Sequence, residues 1–254
     1  MRFHSLSLGA ALLILASCQQ FKVAGQVGYA QLALDGEIGF AAGSTTTDIG
    51  QDVTTAFGLG DDQGLPYGRF NFDMGVPTLT VSAFVLEEEG TGTLAKNFGG
   101  NPLLSAGANV NTDFELSNAK ASLVFDISLG PVTISPGLAA DYFDFNFQVT
   151  QVNGLASEVV ELEAPVPIGI LRAAADIGIF SGMAEVGYME ADIDELEAKL
   201  LDIDAMLTVH ATEVLDLWVG YRYLAIDGDG LIDNDTFLSD IKIDGIVFGG
   251  GVRF

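Results

Sequence analysis

Cysteine is nearly absent: Cys18 is the only one in 254 residues, so no internal disulfide can hold the chain together. Basic residues are scarce as well. Ten Lys and Arg stand against 35 Asp and Glu, a net charge of −25. That leaves no basic patch to release counterions from phosphates, which excludes nucleic acid as a partner, and no basic surface that seeks anionic lipid. Long hydrophobic runs are missing too. Beyond Ala16 the best stretch, Ile168 to Phe180, is interrupted by Arg172 and Asp176, whereas a spanning helix needs about 20 mainly apolar residues. Yet the mean hydropathy is high, +0.38. High hydropathy rarely coexists with so large a charge in a water-soluble globule. Strands that alternate between lipid and a polar interior, with acidic loops outside the bilayer, supply both. Any entry into a bilayer must then be as a closed barrel, because hydrocarbon offers no water to satisfy an open sheet edge.

The chain starts with an export pattern. Arg2 gives the positive start, and Leu6 to Ala16 form an apolar core too short to span. Residues 1–17 read as a signal peptide. Leu15-Ala16-Ser17-Cys18 resembles the lipobox of bacterial lipoproteins, in which the signal is cut before a cysteine that is then lipidated. That resemblance implies Cys18 as the lipidation site and residues 18–21 as an anchor segment. Gln19, standing where many inner-membrane lipoproteins have aspartate, favours the outer membrane.

Residues 22–254 read as one all-β domain built of period-2 segments, the half-buried strand signal. In Leu201 to Ala211, Leu201, Ile203, Ala205, Leu207 and Val209 share one face, and Asp202, Asp204, Met206, Thr208 and His210 the other. Leu215 to Tyr223 and Tyr67 to Met74 alternate likewise, and in Val160 to Ile170 the acidic Glu161 and Glu163 oppose an apolar face. The pattern predicts ten strands, with eight as the smaller count, centred near residues 31, 70, 83, 120, 139, 168, 187, 205, 221 and 247. Tight turns at 75–77, 129–131, 180–182 and 212–214 alternate mostly with long polar connections at Ala41–Gly64, Glu87–Thr112, Thr150–Ser157 and Gly228–Leu238. Short turns at one end and long loops at the other predict a transmembrane antiparallel up-and-down β-barrel with short periplasmic turns and long outer loops. An even strand count puts both termini on the periplasmic side. Around Tyr142 the apolar phase slips, from Leu138-Ala140-Tyr142 to Phe143-Phe145-Phe147, and it slips again near Leu171-Arg172. A one-residue β-bulge accounts for such a change.

The end of the chain is more specific. It reads Ile246-Val247-Phe248-Gly249-Gly250-Gly251-Val252-Arg253-Phe254, with Phe248, Val252 and the final Phe254 on one face. This resembles the terminal strand of bacterial outer-membrane proteins, and Gly220-Tyr221-Arg222-Tyr223-Leu224 before it resembles the ending of small proteobacterial barrels. The resemblance implies the bacterial outer membrane as location, with outer-membrane lipid and the barrel-assembly machinery as partners. Phe248, Val252 and Phe254 would be the assembly signal.

Candidate chemistry is thin. Enzymatic outer-membrane barrels, the proteases and lipid A deacylases, pair a histidine with Ser or Asp at the outer rim. Here the one histidine after the leader, His210, falls at the opposite end. It reads as a polar lumen-lining residue, and no catalytic site is expected. Arg69, Lys120, Asp202, Asp204, Arg222 and Arg253 share the lumen side, together with Asp73, Asp126, Glu161, Glu163, Glu185 and Asp216. Opposite charges in a narrow barrel pair and fill it. Asp227-Gly228-Asp229-Gly230 with Asp233 and Asp235 looks like an acidic calcium loop, but the full twelve-residue pattern is not met, since Thr236 stands where a bidentate Glu belongs. The expectation is therefore a barrel with a largely filled polar lumen and a structural or surface-interaction role. A narrow channel for small cations or polar solutes is one alternative, and a soluble periplasmic β-domain lipoprotein that binds an apolar ligand is another. Alternation alone does not distinguish lipid outside from core inside.

Overall fold

The computed structural model describes residues 21–45, 47–193, 196–232 and 234–254. The expected signal peptide, Cys18 and Asp233 lie outside these. Ten long strands form the wall: β1 (Lys22–Ala41), β3 (Gln63–Asp73), β4 (Thr78–Thr93), β5 (Asn109–Val124), β7 (Val132–Gln151), β8 (Ser157–Ile177), β9 (Phe180–Ile193), β10 (Leu196–His210), β11 (Leu215–Ile232) and β12 (Asp235–Arg253). Each pairs antiparallel with its sequence neighbour in the wall, and β12 pairs with β1 from Ala24↔Arg253 to Ala41↔Thr236, which closes the ring. Two short strands, β2 (Gln51–Asp52) and β6 (Ile127–Leu129), flank the wall, and one short helix, α1 (Val53–Phe57), follows β2.

Which side faces hydrocarbon is decided by exposure. Val27, Tyr29, Phe70, Val81, Leu138, Leu171, Val186, Leu207, Val219 and Phe248 all point outward and are exposed, while Arg69, Lys120, Asp202, Asp204 and Arg222 point inward and are at most 5 % exposed. A protein folded for water arranges these the other way round. The outward belt is that of a wall seated in a bilayer.

The wall is much taller than the belt. Strands of 14 to 21 residues cover most of the ring, whereas crossing a bilayer takes about 9–11 tilted residues. Toward the long-loop end the polarity of both faces therefore reverses. On β5 the outward row runs Leu123, Ala121 and Ala119, then Glu115 and Asp113, and the inward row runs Ser122, Lys120 and Asn118, then Leu116 and Phe114. On β7, Leu138, Ala140 and Tyr142 face outward and are followed by Asp144 and Asn146, while Asp141 faces inward and is followed by Phe143, Phe145 and Phe147. The phase slip at Tyr142 is therefore no bulge. Pairing of β7 with β5 and β8 runs in unbroken register through it. Above Tyr142 the outer solvent is water, and the apolar residues turn inward. The same boundary corrects two lumen assignments: Glu161 and Glu163 lie on the outer face of β8, where they are exposed to water, while Val160 is buried inside. It also shortens the expected loops. Gly228–Leu238 is a continued hairpin, with Gly228↔Ser239 and Gly230↔Phe237 paired, and the Glu87–Thr112 connection narrows to 94–108.

Apolar side chains close the lumen at the long-loop end. Asp52 caps α1, its Oδ1 accepting the Thr55 N–H at 2.7 Å, and Gly58 ends it in the left-handed region at φ 74°. The helix lies against β4 at Gly92, where a Cβ would sit 2.2 Å from the Ala56 carbonyl oxygen. Phe57 is thereby placed edge-on to Phe147 (4.9 Å between centroids) and Phe98 (5.5 Å) inside the ring. Each fully buried Phe of this kind contributes about 1.5–3 kcal/mol.

Candidate functional site

In mid-lumen, side chains from eight of the ten wall strands meet in one charge network. Lys120 of β5 places Nζ within 2.9 Å of Asp202 Oδ2, 2.9 Å of Asp204 Oδ2 and 3.0 Å of Glu185 Oε1. Arg222 of β11 donates through one terminal nitrogen to both Asp204 oxygens at 3.1 Å, and through the other to Asp202 Oδ2 at 3.2 Å and Asn118 Oδ1 at 3.0 Å. Its guanidinium also lies 5.1 Å above the centre of the Phe84 ring. Arg172 of β8 donates Nε–H to Glu185 Oε2 at 2.7 Å and reaches across to Thr80 Oγ1 at 3.0 Å and Ser122 Oγ at 3.3 Å. Asn118 in turn donates to Asp141 Oδ1 at 2.5 Å, and Arg69 of β3 approaches Asp204 at 3.9 Å. The alternation of β10 and β11 generates this packing: every second residue faces in, so Asp204 lies directly opposite Arg222 and Asp202, two residues before it, lies diagonal to it.

Four cations (Arg69, Lys120, Arg172, Arg222) meet four acids (Asp141, Glu185, Asp202, Asp204) there, all at most 7 % exposed. Ions stripped of water this way persist only when paired and hydrogen-bonded. Alternation in the sequence puts Arg69, Lys120, Asp202, Asp204 and Arg222 on the lumen side. It does not single out Arg172, Asp141 or Asn118. Their signal was parity: each keeps the inward phase through a stretch where the apolar residues change sides.

A second cluster lines the mouth at the short-turn end. His210, the last residue of β10, is the direct cross-strand partner of Asp216 on β11, and its Nδ1 is 2.8 Å from Asp216 Oδ1. Its other ring nitrogen, Nε2, is 3.1 Å from the Ser181 hydroxyl on β9. Arg253 Nε stands 3.6 Å from Asp216 Oδ1, and the same side chain donates to the Glu213 and Thr212 carbonyls at 3.1 and 3.0 Å, tying down the β10–β11 turn. Across the mouth, Asp126 accepts from Thr78 at 2.8 Å and Ser135 at 2.5 Å, while Asp73 accepts the Gly75 N–H of its own turn at 2.6 Å. Ser181 had no motif around it to single it out. Only the register of β9 on β10, with Ser181 opposite Thr208, brings it to His210.

The described residues of the expected calcium loop lie apart. Asp227 and Asp229 lie on the exposed outer face of β11, and Asp235 accepts the Gly43 N–H at 2.8 Å. Among the described residues no group of three His, Cys, Asp or Glu is placed to hold a metal ion. Phe248 and Val252 on the outer face of β12, and Phe254 just past its end, are exposed, and the Phe254 backbone exchanges hydrogen bonds with Val23 at 2.8 and 3.0 Å, joining the end of the last wall strand to the start of the first.

No family model matches the sequence, and no curated protein does. Solved structures do. The outer membrane protease OmpT of Escherichia coli superposes with a TM-score of 0.53 at 8 % identity, over 94 % of this chain and 99 % of that one. Ail, the attachment invasion locus protein of Yersinia pestis, aligns with a TM-score of 0.40 at 14 % identity, over 92 % and 99 %. What the OmpT likeness gives is architecture: the chain has the fold of an outer-membrane β-barrel.

Proposed function

We propose that this chain is a bacterial outer-membrane barrel with a closed lumen, acting as a structural or surface-interaction protein rather than as a conduit. The start of β1 and the end of β12 lie at the short-turn end, which on this reading is periplasmic, and Cys18 carries a lipid in the same membrane. The terminal strand bearing Phe248, Val252 and Phe254 is the segment offered to the assembly machinery. The observation that supports a closed lumen is the network joining Lys120 and Arg222 to Asp202, Asp204 and Glu185 across the ring, capped on the long-loop side by the cluster around Phe57, Phe98 and Phe147. A channel for small cations needs a file of unpaired acids. Here cations and acids balance, and each acid has a cation or an amide beside it. The exposed aliphatic belt opposes a soluble periplasmic domain.

Single-channel recording in planar bilayers tests the reading. The purified barrel is expected to leave the membrane resistance unchanged. Discrete conductance steps that scale with protein added would overturn a closed lumen.

A further inference from the structure

We infer that Ser181, His210 and Asp216 form a serine-hydrolase site at the short-turn mouth, acting on carboxylic esters with an apolar acyl chain. The inference is independent of whether the lumen above conducts, because the three residues stand at the strand ends below the charge network.

Three features carry it. The first is connectivity. An ionised carboxylate only accepts hydrogen bonds, so Asp216 Oδ1, 2.8 Å away, holds the proton on His210 Nδ1. Nε2 is then a lone pair, aimed at the Ser181 hydroxyl 3.1 Å away. Nucleophile, base and orienting acid are thus in hydrogen-bond sequence, the geometry by which such a site is recognised whatever the chain order. The second is rigidity. All three side chains stand on paired strands; the His210 N–H is also bound to the Ile179 carbonyl at 2.8 Å, and Arg253 clamps the adjoining turn. The third is access and surroundings. The His210 side chain is 19 % exposed and Asp216 7 %, so the base is reachable while its partner is screened. Ile177, Ile179 and Val214, at the two turns that flank the site, stand exposed. Such a rim suits an acyl chain and does not suit a polar substrate.

The chemistry balances with water as the only co-reactant. Ser181 Oγ attacks the ester carbonyl carbon as its proton passes to His210 Nε2. The carbonyl-carbon bond to the alcohol oxygen breaks, and Nε2 returns the proton to the leaving alcohol. Water then attacks the acyl-Ser181 carbonyl, giving its proton to Nε2. The bond to Oγ breaks, Oγ recovers that proton, and the carboxylic acid leaves. Ser181 and His210 are the reacting groups; Asp216 is a positioning residue.

The test uses the full-length barrel purified in detergent micelles. It is treated with an alkyl fluorophosphonate, and the adduct is mapped by peptide mass spectrometry. In parallel, p-nitrophenyl butyrate hydrolysis is followed. The adduct is expected on Ser181, and Ser181→Ala should remove both adduct and turnover. His210→Ala should lower turnover on the order of 10²–10⁴-fold, and Ser135→Ala, across the mouth, should leave it unchanged. A change of gel mobility on boiling shows that each variant still closes. A wild-type barrel that closes yet takes no adduct, or takes it elsewhere than Ser181, overturns the site without recourse to any variant. So does turnover equal in wild type and closed Ser181→Ala.

Discussion

Arg222 is the side chain on which most of the lumen hangs, since it alone bonds Asp202, Asp204 and Asn118 while covering Phe84. Its removal leaves two buried carboxylates less neutralised. Arg222→Ala is expected to destabilise the folded barrel by about 3–5 kcal/mol, read as a lower urea midpoint in lipid vesicles. Arg222→Lys should recover only part of this, because an ammonium lacks the planar fork that also reaches Asn118 and lies over Phe84. A gentler case sits in the loop after β1. The Thr55 backbone N–H and then its hydroxyl hold the Asp52 carboxyl below the usual carboxylate range. A depressed folded-state value means that the cap's contribution is complete above the unfolded value of about 4 and is lost as pH falls below it through the lower folded value. Asp52→Ala should weaken the α1 segment by about 1 kcal/mol at neutral pH, seen as faster proteolysis after Phe57, and the difference from wild type should vanish in acid. Single residues of the lumen were legible in the sequence wherever alternation was clean, as at Asp202, Asp204 and Arg222. The Ser181–His210 contact was not, because 29 residues separate the partners and only strand register joins them.

At the scale of one strand, β7 shows why part of the fold was hard to read. Its inward and outward rows never change places, yet its apolar residues do, because the strand leaves hydrocarbon at Tyr142 and continues in water. A pattern rule that expects one apolar face per strand meets two environments and infers a defect. Two substitutions on the same face of β7 separate the environments. Leu138→Arg, within the belt, should destabilise by about 2–4 kcal/mol. Asp144→Leu, three turns of the pleat further along, should change stability by no more than about 0.5 kcal/mol. Urea titrations in vesicles measure both. Equal effects would mean that the belt does not end at Tyr142.

For the molecule as a whole, strand number, order and closure were legible from alternation and turn spacing, since both follow from local chemistry. The height of the wall was not, because acidic outward residues at the strand tops look like loop when read alone. Those tops carry much of the chain's negative charge, and just below them tyrosines on β7, β9 and β11 mark the belt's edge: Tyr142, Tyr188 and Tyr221 donate to Glu163, Glu190 and Asp244. Phe21, Phe72, Phe180 and Phe254 lie toward the opposite edge. From Leu215 to Tyr223 the belt spans about 27 Å of strand at about 3.4 Å per residue, or roughly 20 Å of height at a tilt near 40°. Anchored phenols above and bare phenyl rings below work like a waterline and a keel. The barrel has one draught, and in a membrane of another thickness it is the neighbouring lipids that must stretch or shorten to meet it.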